Sequence, residues 1–192
     1  MTEHITIEAI TLRSISIQDP KKIVTVFSKQ LGLISLVVST SKAKNRSICE
    51  PFCKAELILT PKKKDLFLLY DSSIQDLHLP LRNKLCYLQT AFSMVKALLS
   101  SQLPEKPSPF LYALLEKSLQ NTPSFPDQNT LLACFYLKLL SHEGLYNPHS
   151  PKEKVLFSTL AQERKLSTLR EIECSIEDLL EVETLFSHRI KS

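Results

Sequence analysis

The apolar positions of the first 75 residues come in short runs, and the runs are those of β-strands. Ile5, Ile7 and Ala9 alternate with Thr6, Glu8 and Ile10. Lys22–Phe27 and Leu33–Val38 are dense in β-branched side chains, and Phe52–Thr60 and Leu66–Tyr70 follow. Breakers separate them: Asp19-Pro20, Gln30-Leu31-Gly32, the polar stretch Ser39–Ser47, and Pro61 followed by Lys62-Lys63-Lys64. From Leu81 the period lengthens to that of a helix. Leu81, Leu85, Leu88, Phe92, Val95 and Leu99 fall on one expected inward face.

Helix signals then recur to the end of the chain. Ser108-Pro109 reads as a cap with proline at the first helical position, ahead of Phe110, Leu111, Leu114 and Leu115. Asp127 is placed to cap a third helix carrying Leu131, Leu132, Phe135, Leu139 and Leu140, which Gly144 ends in the left-handed conformation. Ser150-Pro151-Lys152-Glu153 has the capping-box pattern. A last helix is expected over 176–190 with Leu179, Leu180 and Phe186 inward. The fold class is therefore α+β. Five short strands suggest a partly open barrel of OB type over residues 1–77, a frequent oligonucleotide platform, with an α-helical domain over 78–192.

Composition narrows the function. The only glycines are Gly32 and Gly144, too few for a phosphate loop or a dinucleotide fingerprint. No apolar run approaches the roughly 18 residues of a membrane span, and the first apolar stretch lacks a basic flank, so a cytoplasmic protein is expected. Five scattered cysteines suit reduced thiols. Cys49 and Cys53 sit four apart without the second pair that a structural zinc site needs, so neither metal nor cofactor is expected. The histidines are dispersed, and His142 at a helix end suits the helix dipole better than catalysis. Glu171, Glu173, Glu177, Asp178, Glu181 and Glu183 read as the wet face of the terminal helices.

Charge separates the halves: +5 net over residues 1–70 and −1 over 71–192. The basic half is the candidate for nucleic acid. Lys42, Lys44 and Arg46 alternate in a loop expected to be extended, where they would point one way and follow a phosphate backbone. A solvated loop is the plain alternative. Arg13, Lys21, Lys22, Lys29 and Lys54 extend the track, and Lys62-Lys63-Lys64 reads first as a solubilising turn. Phe27, Phe52, Phe67 and Tyr70 fall in strands and are expected mostly in the barrel core.

The order of these pieces resembles RecO, the bacterial recombination mediator family. The resemblance is carried by Glu8–Ser14, Ile23–Ser28, Gly32-Leu33-Ile34, the basic loop, Glu50-Pro51-Phe52 and Asp65–Leu69. Leu103-Pro104-Glu105 and Phe135–Leu140 through Gly144-Leu145-Tyr146-Asn147-Pro148 carry it in the helical half. It implies a barrel that holds single-stranded DNA without sequence preference, with double-stranded DNA as a further ligand. It also implies contacts with RecR and with the C-terminal tail of the single-strand-binding protein SSB, help in placing RecA, and strand annealing. No catalytic residue is implied. The tail site falls on the third helix, at Phe135, Lys138 and Leu139. Three departures matter. His149-Ser150-Pro151 leads into a helix where many family members carry four zinc-binding cysteines, the basic loop Ser39–Arg46 lacks the usual glycine and consecutive arginines, and Ala133 and Cys134 stand where arginines often do. A protein–protein adaptor of the same ancestry without DNA binding is the rival reading, and an enzyme with its site in the helical half is a third.

Overall fold

The computed structural model describes residues 4–62, 66–149 and 154–191. The alternating runs close into a five-stranded barrel: β1 (Ile5–Gln18), β2 (Lys21–Ser28), β3 (Gly32–Ser39), β4 (Lys54–Lys62) and β5 (Leu66–Asp76), in the order β1-β2-β3-β5-β4. All neighbours are antiparallel except β3 and β5. β1 is long enough to pair with β4 through Ile5–Ile10 and with β2 from Ala9 onward, which is how the sheet closes and loses its edges. Period two decides what is inside. Ile34, Leu36 and Val38 are buried and Leu33, Ser35 and Val37 are not. Val24, Val26, Leu57 and Leu59 complete this core. The expected OB-type barrel followed by helices is what the chain forms.

The differences from expectation are local. β1 continues past Ile10 to Gln18, and β5 past Tyr70 to Asp76. Phe52 precedes its strand in a left-handed turn at φ 69°, with Phe52 N donating to Thr11 O (2.8 Å) and Thr11 N to Cys53 O (2.8 Å). The loop expected to be extended contains a helix, α1 (Ala43–Ile48). Its cause is the burial of Ile48 in the barrel core, helped by Asn45 Nδ2 donating to Ser39 O (2.7 Å) and Arg46 Nε to Thr40 O (3.1 Å). Phe27 and Phe52 are buried as expected, and Phe67 packs on the core, but Tyr70 is 65% exposed.

Among the described residues six further α-helices follow: α2 (Leu85–Ser101), α3 (Pro109–Asn121), α4 (Gln128–His142), α5 (Val155–Gln162), α6 (Leu166–Leu169) and α7 (Ile176–Lys191). The expected caps hold. Ser108 Oγ accepts from Leu111 N (3.3 Å), Asp127 accepts from Asn129 N and Thr130 N, and Gly144 sits at φ 73°. The capping box at 150–153 lies outside the described residues. α4 is apolar on nearly every side and is buried against α2, α5 and α7.

The inward face of α2 is turned from the expected one. Ala91, Met94, Val95 and Leu98 are buried, whereas Leu85 is 71% exposed and Phe92 about half exposed. Small residues take the closest approach, and hydropathy alone underweights them. Likewise Leu111, Tyr112 and Leu115 rather than Phe110 face inward on α3, and Val182 rather than Leu180 on α7. The chain forms two compact units. Residues Met1–Leu79 with Gln102–Glu116 make one, and Pro80–Ser101 with Lys117–Ser192 make the other.

Candidate nucleic-acid interface

Strand register sorts the basic residues. Lys21 opens β2 and pairs with Ser39 at the end of β3, and Lys22 pairs with Val38. The turn between β1 and β2 is tied to the start of the α1 segment, since Thr40 N and Thr40 Oγ1 both donate to Pro20 O (2.7 and 2.8 Å). Lys42 stands immediately before α1, and Lys44 and Arg46 lie on it. Lys21, Lys22, Lys42, Lys44 and Arg46 therefore gather at one end of the barrel. Arg13 sits further along the wall, its Nε donating to Thr25 Oγ1 (3.3 Å).

Within that end the cations differ in availability. Lys21, Lys42 and Arg46 are exposed and Lys22 is half-buried. Lys44 Nζ pairs with Asp71 Oδ1 at 3.1 Å. The Asp71 carboxyl is held below its usual range by the Ser72 backbone N–H first, then by the Lys44 bond and charge, with Lys42 adding to it. The expected common direction of 42, 44 and 46 is corrected by the helix. Residues two apart on a helix point to different sides, whereas residues three or four apart share a face.

Two of the expected residues lie elsewhere. Lys29 follows β2, with its N donating to Glu8 O (3.1 Å), at the opposite end of the barrel. Lys54 opens β4 at that same end and is only 15% exposed. Its ammonium lies 2.5 Å from Glu116 and 3.7 Å from Glu8. Burial lowers its pKa, but the Glu116 bond and the charges of Glu116 and Glu8 outweigh that and raise it. Lys54 thus serves an internal ion pair. The side chains of Lys62-Lys63-Lys64 lie outside the described residues.

Sequence reasoning missed Tyr70 and His4. Their rings stack with centroids 4.3 Å apart and planes 34° apart on the outer wall, and His4 Nδ1 lies 3.1 Å from Thr60 Oγ1. In Leu66–Tyr70 every residue is apolar, so alternation could not show which ones face out.

In the helical unit the three expected partner residues do not form a surface. Phe135 and Leu139 are buried at 1% and 0%, and Lys138 Nζ donates to the backbone oxygen of Glu163. Cys134 is also buried, its thiol pushed up to about 11 by burial, with Lys138 opposing. The neighbouring Tyr136, also buried, lines a cleft. This cleft, of about 400 Å³, is lined by Ser93, Lys96, Tyr136, Glu183, Phe186 and Ile190. Tyr136 and Phe186 pack at 4.8 Å, and burial, then Glu183, pushes the Tyr136 phenol up to about 12. Among the described residues lining the cleft, Lys96 is the one cation.

Among the described residues no three His, Cys, Asp or Glu side chains converge as a metal site, and no helix is long and apolar enough to cross a membrane.

Residues 1–77 match the family described as Recombination protein O N terminal. A DNA repair protein RecO of Chlamydia trachomatis serovar L2 is 31% identical over 151 residues, covering 73% of this chain and 59% of the relative. That of Chlamydia muridarum is 41% identical over 64 residues, 33% of this chain and 27% of the relative. That of Streptococcus sanguinis is 27% identical over 148 residues, 76% and 57% respectively. A closed five-stranded barrel with this match and these relatives makes the chain a member of the RecO family. It spans about 59% of the length of the first of these relatives.

Proposed function

We propose that this chain is a recombination mediator in DNA repair that binds single-stranded DNA and partner proteins and performs no covalent chemistry. Residues 1–77 are the nucleic-acid-binding part and 78–192 the partner-binding part. The observation that carries the reading is the gathering of Lys21, Lys22, Lys42 and Arg46 at one end of the barrel. Cations grouped this way neutralise successive phosphates and release counterions, which gives binding without sequence preference. Double-stranded DNA offers the same phosphates. Screening them also lowers the repulsion between two strands, which favours annealing.

In the helical part the cleft of Tyr136, Phe186 and Lys96 is where an acidic, apolar-ended tail such as that of SSB docks. RecR is a second partner, RecA is placed on the strand downstream, and the work is done in the cytoplasm. The names of the relatives support the repair role.

The test is titration of labelled oligo-dT at several salt concentrations. Replacing Lys42, Lys44 and Arg46 together by alanine weakens binding and lowers the salt slope by about 0.7 per lost contact. An unchanged slope would refute the role of this end of the barrel.

A further inference from the structure

Phosphate contacts leave unused an apolar row on the outer wall of the barrel. Ile15 pairs with Ile23, Ile23 with Val37, and Val37 with Leu68. Partners in register share a face. The flanking Val24 and Leu36 belong to the core and Phe67 packs against it, so these four point outward, and Ile15 and Leu68 are substantially exposed. Arg13 and Lys21 stand two residues either side of this row on the same faces of β1 and β2, paired with Thr25 and Ser39.

The row ends at Tyr70. Leu59 pairs with Leu69 and Ile58 with Asp71, so Tyr70 is the extra residue of a β-bulge. Bulges re-aim side chains, and this one presents an aromatic ring on the surface. The ring is not loose: His4 stacks on it and is itself held by the Thr60 hydroxyl. The next residue, Asp71, holds Lys44 and feels Lys42. A fixed, exposed π-face beside grouped cations has the chemistry of a single strand, whose unstacked bases need a face to stack on and whose phosphates need charge. A protein partner would use the apolar row but has no need of the cations that border it.

We infer that Tyr70, backed by His4, is a base-stacking platform for single-stranded nucleic acid whose phosphates run past Lys42, with the Ile15–Leu68 row continuing the base-facing side. This rests on the single-strand binding proposed above. The experiment compares the intact chain with Tyr70→Ala and Tyr70→Phe, using oligo-dT across a salt series. Tyr70→Ala weakens binding roughly 5- to 100-fold with no change in salt slope, because a stacked base rather than a phosphate contact is lost. Tyr70→Phe keeps affinity within about twofold, since the ring does the stacking. The chain has no tryptophan, so tyrosine emission is readable directly. Oligo-dT quenches part of it in the wild type, and Tyr70→Leu loses that part.

An exposed side chain lets these variants fold, and their melting temperatures check this. If the wild type binds no oligo-dT, the underlying reading fails. If it binds and Tyr70→Ala binds equally well, the platform alone fails. Equal weakening by Tyr70→Phe overturns it in favour of a hydroxyl contact. Loss of RecR binding by Tyr70→Ala with DNA binding intact overturns it in favour of a protein surface.

Discussion

Gly32 and Gly144 have nearly the same backbone, φ 72° and 73°, and different surroundings. A Cβ on Gly32 would meet Lys106 O at 2.2 Å, a backbone atom that cannot swing away, whereas nothing lies within 4 Å of one on Gly144. Gly144→Ala is therefore expected to cost about 1–2 kcal/mol for the left-handed conformation alone. Gly32→Ala adds a steric clash to the same strain and is expected to cost clearly more, and denaturant unfolding of the two variants gives the order. The sequence announced Gly144, because it follows a long apolar helical run at the C′ position. It could mark Gly32 only as a breaker, since the closeness of Lys106 comes from a segment 74 residues on. The cysteines show the same dependence on fold. Burial pushes Cys53 up to about 12 and Cys174 up to about 11, while Cys86 is exposed. A thiol reagent at pH 8 should modify one site quickly, and Cys86→Ser should abolish that phase. The unfolded thiols ionise near 9.0, below the buried ones. Their folded pKa values being raised, the stabilising contribution is full below pH 9 and declines as pH rises from there through about 12. An unfolding free energy that holds level from pH 8 to pH 11 would contradict this.

Elements were easier to find than to orient. All five strands and the main helices are visible as runs, because period two and period 3.6 are written in side chains every few residues. What periodicity could not settle was phase, where all choices were apolar or where small residues did the packing. On α2 the expected face through Leu85 and Phe92 lost to one through Ala91, Met94 and Leu98. The energetic consequence is direct. Met94→Ala should cost about 2–5 kcal/mol and Leu85→Ala less than about 0.5 kcal/mol, read as shifts in unfolding free energy. The reverse order would restore the expected face. α1 escaped notice for a different reason: six residues with one buried apolar side chain carry no period at all. That short helix reshapes the candidate interface, since it sends Lys44 to Asp71 instead of leaving it beside Lys42 and Arg46.

On the scale of the whole molecule, the uneven charge of the sequence singles out a region but does not sort the cations within it. Net charge does not distinguish Lys54, which pairs with Glu8 and Glu116, from Lys42, which is exposed. Nor could it show that Phe135 and Leu139 are fully buried, while Tyr136 and Lys96 line a cleft. If the two halves hold different partners, their defects should separate. Replacing Lys42, Lys44 and Arg46 by alanine is expected to weaken oligo-dT binding and leave binding of an SSB tail peptide unchanged. Lys96→Glu is expected to do the opposite, because it sets a second carboxylate beside Glu183 in the cleft where the tail must bring its own. Like charges so placed repel, and burying an unpaired carboxylate is costly. Calorimetry with the peptide and anisotropy with the oligonucleotide, on the same two variants, read both arms. A peptide that binds Lys96→Glu as tightly as the wild type would move the tail site off this cleft. Loss of both ligands in either variant would show that one surface serves both.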